Sequence, residues 1–159
     1  MLYELDVYQK LIPRLIFGSR IKMKLNITPQ KIPYFLNQAI GYQSNILSGY
    51  ALYAIDGADF GSITNILKYN LLNVNYSLAG WIPNRLRRQN AQVFVKAVLD
   101  LGYVRENYYQ ETNHLANAIL VGTGPGLDFL FNHQFITSVD FQINHLGEKG
   151  IYWFAGFSF

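Results

Sequence analysis

Apolar side chains recur at every second position in segment after segment of this chain, and that period constrains the fold more than any other feature. Successive side chains of a β-strand point to opposite faces, so a period of two describes a strand with one apolar and one polar face. Phe135, Thr137, Val139, Phe141 and Ile143 oppose Gln134, Ser138, Asp140, Gln142 and Asn144, with only Ile136 out of place. Val93, Val95, Ala97, Leu99, Leu101 and Tyr103 oppose Lys96, Asp100 and Gly102, although Phe94 and Val98 interrupt that second face. Leu15, Phe17, Ile21, Met23, Leu25 and Ile27 oppose Arg20, Lys22, Lys24 and Asn26. The final residues set Ile151, Trp153, Ala155, Phe157 and Phe159 against Tyr152, Phe154, Gly156 and Ser158. The pattern predicts seven strands, near 2–10, 15–27, 64–76, 91–104, 119–131, 134–144 and 151–159.

A soluble sandwich also alternates, so the question is which solvent the apolar faces meet. Hydrophobic residues make up 50% of the 159-residue chain and charged residues only 14%, against a usual ~25%. No apolar run approaches the ~18 residues of a membrane helix, so the apolarity is spread out as alternating strands spread it. The strands have roughly the 9–11 residues that cross a bilayer at a tilt. Lys, Arg and Asp sit well inside the polar faces, and the apolar faces hold almost no charge. An aromatic strand such as 151–159 is a sticky edge in water but the expected last strand of an outer-membrane barrel. The expected fold is all-β, a transmembrane antiparallel β-barrel.

Other classes fare poorly. Cysteine is absent, which removes disulfides and thiolate metal sites. A net charge of +3 is too small to argue for nucleic acid. His114, His133 and His145 lie in unlike contexts with no metal-ligand spacing. No Ser/His pair suggests a lipase. Gly122–Gly126 is not a phosphate loop, since no helix follows and the Lys-Ser/Thr pair is missing; it reads as small residues on the inner face of a strand. Neither a catalytic residue, a metal nor a cofactor is expected. The segment Met1–Asp6 lacks the basic and apolar regions of a signal peptide, which favours a fragment or a chain not exported in this form.

Connection lengths fit a barrel with short periplasmic turns and long outer loops. Leu11–Arg14 and Asn132–Gln134 are tight, whereas 28–63 and 105–118 are longer. Residues 77–90 break the rule, being long on the expected periplasmic side, with Trp81, Pro83, Arg85, Arg87 and Arg88. Pro125 inside a proposed strand predicts a bulge or strand end.

Within 28–63 the run Ala39–Phe60 contains Ser48-Gly49-Tyr50, Tyr53 and Ile55-Asp56-Gly57. It resembles the sixth extracellular loop of the BamA/TamA superfamily of outer-membrane assembly proteins, in forms from Bacteroidetes, whose signature is Val/Leu-Arg-Gly-Tyr/Phe continued by Glu-Tyr-Tyr-Val-Ile-Asp-Gly. Asp100–Val104, Gly124–Asp128 and Asn144–Gly150 resemble later motifs of that family in the same order. The likeness spans nearly the whole chain. It departs at Ser48, where the family has arginine.

The resemblance implies that this chain supplies the last seven or so strands of a sixteen-stranded barrel, completed by missing N-terminal strands and POTRA domains or by accessory subunits. It implies that segment 28–63 folds into the barrel mouth, with 39–60 packed there and Gly49 close to the inner wall near Asp100. Asp100 and Asp128 are the acids that match the arginine's partners, and Arg20, Lys68 and Lys96 are the cations able to substitute. It further implies that the strand ending at Phe159, with Trp153 and Phe157, forms one side of a seam whose edge templates client β-barrel proteins. Outer-membrane lipid would be the solvent and nucleic acid no partner. The alternatives are a passive pore or adhesin-like barrel, whose lumen cations Arg20, Lys22, Lys24, Lys68 and Lys96 favour anions, and a soluble ligand-binding β-barrel. In any open lumen, Lys96 is expected to be wet and tolerant of truncation.

Overall fold

The structure is a computed structural model and describes residues 1–26, 37–42, 45–77, 88–106, 114–132 and 134–157. Trp81, Pro83, Arg85, Arg87, His133 and Phe159 therefore lie outside the described residues. The chain is all-β. Its strands are β1 (Leu2–Ile12), β2 (Leu15–Lys24), β3 (Gln38–Ile40), β4 (Ile55–Asp56), β5 (Asp59–Ser77), β6 (Arg88–Arg105), β7 (Ile119–Phe131), β8 (Phe135–Asn144) and β9 (Lys149–Phe157).

Seven strands form one antiparallel sheet in the order β1-β2-β5-β6-β7-β8-β9. They match the seven alternating segments, with the ends moved by a few residues. No closed barrel forms among the described residues, because β1 and β9 each pair on one side only. The long segment before β5 contributes a small antiparallel pair, β3 with β4.

The alternation becomes two distinct faces. On β6, Lys96, Val98, Asp100, Gly102 and Val104 are buried, and the residues between them are exposed. Ile63, Leu67, Leu99, Leu101, Leu127, Val139 and Trp153 all lie on the outer, exposed face. The opposite face, here the inner face, buries Lys22, Lys96, Asp100, Asp128, Asp140 and Gln142. This is the reverse of a water-soluble core, where large apolar side chains are inside and charges outside.

The apolar core lies at one end of the inner face. Ala39, Ile40, Leu47, Tyr50 and Ile55 pack on Phe60 of β5, Val104 of β6 and Leu120 of β7. Pro125 neither ends β7 nor shifts its register with β6, where it sits opposite Ala97. On the other side the β7–β8 pairing lapses between Thr123 and Gly126, as a missing N–H donor requires.

Candidate functional site

Segment 45–57 lies against the inner face, anchored by main-chain groups and apolar side chains. The Ser48 main-chain N–H donates to Asp100 Oδ2 (2.7 Å). The next amide, Gly49 N–H, donates to Gln142 Oε1 (2.8 Å). Asn144 Nδ2 donates to the Gly49 carbonyl (3.1 Å). Gly49 has φ +77°, a conformation that glycine adopts at little cost, and a Cβ there would press on Asn144. Across the gap, a Cβ on Gly122 would collide with the Ser48 carbonyl. The loop therefore approaches β7 backbone to backbone, which only a glycine in the wall permits.

Tyr50 is fully buried. Its hydroxyl bonds His145 Nδ1, and burial holds its pKa above the usual phenol value. Tyr53 donates to Glu148 Oε2 (2.6 Å). Glu148 also accepts from Asn144 Nδ2 (2.8 Å). The loop thus ties β6 and β7 to the β8–β9 hairpin. Burying Ile40, Leu47, Tyr50 and Ile55 contributes about 1.5–3 kcal/mol each, which offsets the entropy of ordering the segment.

At the base of the loop, Asp56 pairs with Gln38 in the small sheet and accepts from the Tyr42 hydroxyl (2.6 Å). Gly57 N–H donates to the Asn37 carbonyl (2.6 Å). Asn37 also donates to the buried Glu106, and Asp59 pairs with Arg105 (2.5 Å).

Asp128 belongs to a second cluster. Lys68 Nζ meets Asp128 Oδ2 (2.6 Å). Lys96 Nζ bridges Asp128 Oδ1 (2.7 Å) and Asp140 Oδ1 (2.9 Å) and donates to Ser138 Oγ (2.9 Å). Arg20 pairs instead with Asp6 (2.7 Å) and Glu4 (3.5 Å), Lys22 with Glu4 (3.3 Å), and Lys24 donates to the Gln38 carbonyl (2.9 Å). The inner-face cations thus meet acceptors of the same sheet and loop.

Several expectations need correction. Lys96 is not in a wet lumen, since only 10% of its side chain is exposed. The Ser48 anchor is its main-chain N–H, with the hydroxyl alongside, so it does not depend on the residue type at 48. Within the apolar loop, Ile46 and Leu52 remain exposed, Leu52 at 89%. On β9, Trp153 is exposed on the outer face and donates to Thr137 Oγ1 (2.7 Å), and Phe157 pairs with Phe135. Sequence reasoning missed Gln142, Asn144, His145 and Glu148 as loop partners, although the likeness of 144–150 to a family hairpin had marked that segment.

Comparison with protein-family models gives no match, and none is found among the curated proteins or the solved structures.

Proposed function

We propose that this chain is the C-terminal portion of an outer-membrane barrel that inserts or translocates β-barrel proteins. The carrying observation is the inverted polarity of the sheet. Its outer face carries no charged side chain from Leu15 to Met23, Gly61 to Tyr69, Val93 to Tyr103 and Phe135 to Ile143. It is exposed or half-exposed and mostly apolar, interrupted by Thr137 and by Ser19 and Asn65, which bond each other. Its inner face buries paired charges and carries a docked apolar loop. Lipid is the solvent that such an outer face fits, whereas in water it would be an aggregation surface.

The edges of β1 and β9, unpaired among the described residues, leave backbone groups that lipid cannot satisfy, so strands from elsewhere would complete the wall. The assembly role rests on the resemblance of loop and hairpin to the BamA/TamA superfamily. Its mechanism needs no cofactor. The seam beside β9 opens, and its edge pairs with an incoming strand.

The test is reconstitution with the completing strands in phospholipid vesicles. Faster insertion of a small eight-stranded client barrel is the expected result. A steady ion conductance without faster insertion would contradict assembly and favour a passive pore.

A further inference from the structure

Strands β5 and β6 are far longer than their neighbours, at 19 and 18 residues. Crossing a bilayer takes only ~9–11. β2 stops pairing with β5 at Leu15 opposite Tyr69, while β5 and β6 stay paired as far as Ser77 opposite Arg88. Residues 70–77 therefore run on for about 25 Å as a ribbon, at the end of the sheet away from the docked loop.

The two edges of this arm differ. The β6 edge is covered along most of the arm, by β7 as far as Phe131 opposite Ala91 and by Asn132, whose N–H donates to the Asn90 carbonyl (2.8 Å). Among the described residues nothing pairs with the β5 edge beyond Asn70, whose N–H donates to the Arg14 carbonyl (2.8 Å). From Tyr69 to Ser77 that edge has no charged residue and no proline, two of the devices by which proteins protect a free edge; a third, a bulge, lies at the start of the arm at Leu71 and leaves the ladder regular from Leu72 on. Its two faces are distinct. Asn73 and Asn75 both accept from Asn90 Nδ2 (2.7 Å each), and Leu72, Val74 and Tyr76 are exposed.

We propose that the Leu71–Ser77 edge is a docking site for an extended strand of a partner protein. The strand adds antiparallel to β5 on the line that β2 vacates. Free main-chain donors and acceptors supply the affinity. Register comes from side-chain alternation, apolar residues beside Leu72, Val74 and Tyr76 and polar ones beside Asn73 and Asn75. Choosing a partner over a second copy rests on the membrane setting proposed above. Antiparallel pairing of two identical edges needs a two-fold axis perpendicular to the sheet, which would invert one copy in the bilayer.

The test uses the full chain, refolded together with the strands that complete the wall, in detergent micelles, and two peptides of equal composition. One alternates valine with threonine over about eight residues; the other has the same residues in two blocks. The alternating peptide should slow hydrogen exchange at every second amide of 71–77 by about tenfold, and the block peptide should not. Proline at one of the amides that exchanges fast before peptide is added should weaken binding by about tenfold. Absence of protection, or equal protection by both peptides, would overturn the site. So would a spontaneous disulfide dimer of the Val74→Cys protein, whose new cysteine is the only one in the chain. Boiled and unboiled gel mobility of the same preparation reports the membrane reading separately, so a heat-modifiable protein without protection at the arm would sink this inference alone.

Discussion

Asp100 is the residue on which the loop turns. It is 2% exposed, and its Oδ1 has no hydrogen-bond partner among the described residues. A cation brought to it would gain a charge-assisted bond. Ser48→Arg should therefore slow amide exchange across 45–57 by about tenfold, and Asp100→Asn should erase the gain. Equal lability with serine and arginine would mean that the carboxylate is out of reach. Lys96 makes the opposite case. Truncating it to alanine leaves Asp128 and Asp140 short of their shared cation, a loss of about 3–5 kcal/mol for a buried pair, measurable as a lowered unfolding midpoint in detergent. Sequence identified Lys96 as inward but not as buried, because period two gives a side chain's face and not the groups opposite it. Asp140 of β8 and Ser138 lie more than forty residues away in sequence.

The Tyr53–Glu148 contact gives the loop a pH dependence. Hydrogen bonds from Tyr53 and then Asn144 hold the Glu148 carboxyl below its usual range. Its contribution is present at neutral pH and is lost as pH falls through that lowered value. The same bond holds the Tyr53 hydroxyl above the usual phenol range, so that contribution is lost as pH rises through the raised value. The loop should be tightest between these limits. Anisotropy of a fluorophore on Leu52→Cys would follow it, and Glu148→Gln should remove the acid limb; an unchanged acid limb would assign it elsewhere.

Among the elements, β5 shows how a sequence can obey period two and still hide its geometry. Up to Asn70 the even positions Lys68 and Asn70 are polar; beyond Leu72 the odd positions Asn73 and Asn75 are. The switch coincides with a bulge at Leu71, between the pairs Asn70–Phe94 and Leu72–Val93, which keeps the polar side chains on one face. Deleting Leu71 should restore a regular ladder and be tolerated, whereas deleting Val74 should turn Asn75 and Tyr76 to the wrong faces. Comparing the two deletions by heat-modifiable gel mobility decides this. The inner segments, β2 and β5 to β8, were legible because burial of one face imposes the period, whereas β1 alternates although it is exposed at all eleven positions. The pair β3 with β4 was not, since strands of three and two residues are too short to show one. The loop's partners on the β8–β9 hairpin were also hidden, being nearly a hundred residues away.

In the whole molecule, the proposed barrel has the outer face of this sheet in lipid. Leu99→Arg near the bilayer midplane should cost about 2–4 kcal/mol, but a soluble protein could also resent that change. A more direct measurement places nitroxide spin labels on single cysteines along β6, from Val93 to Val104, in phospholipid vesicles. The chain's lack of native cysteine makes this straightforward. Oxygen partitions into lipid and a nickel chelate stays in water. Labels at Val95, Ala97, Leu99 and Leu101 should relax with oxygen and not with nickel, with a period of two against Val98 and Val104. Nickel-accessible labels at Val95, Leu99 and Leu101 would contradict the account.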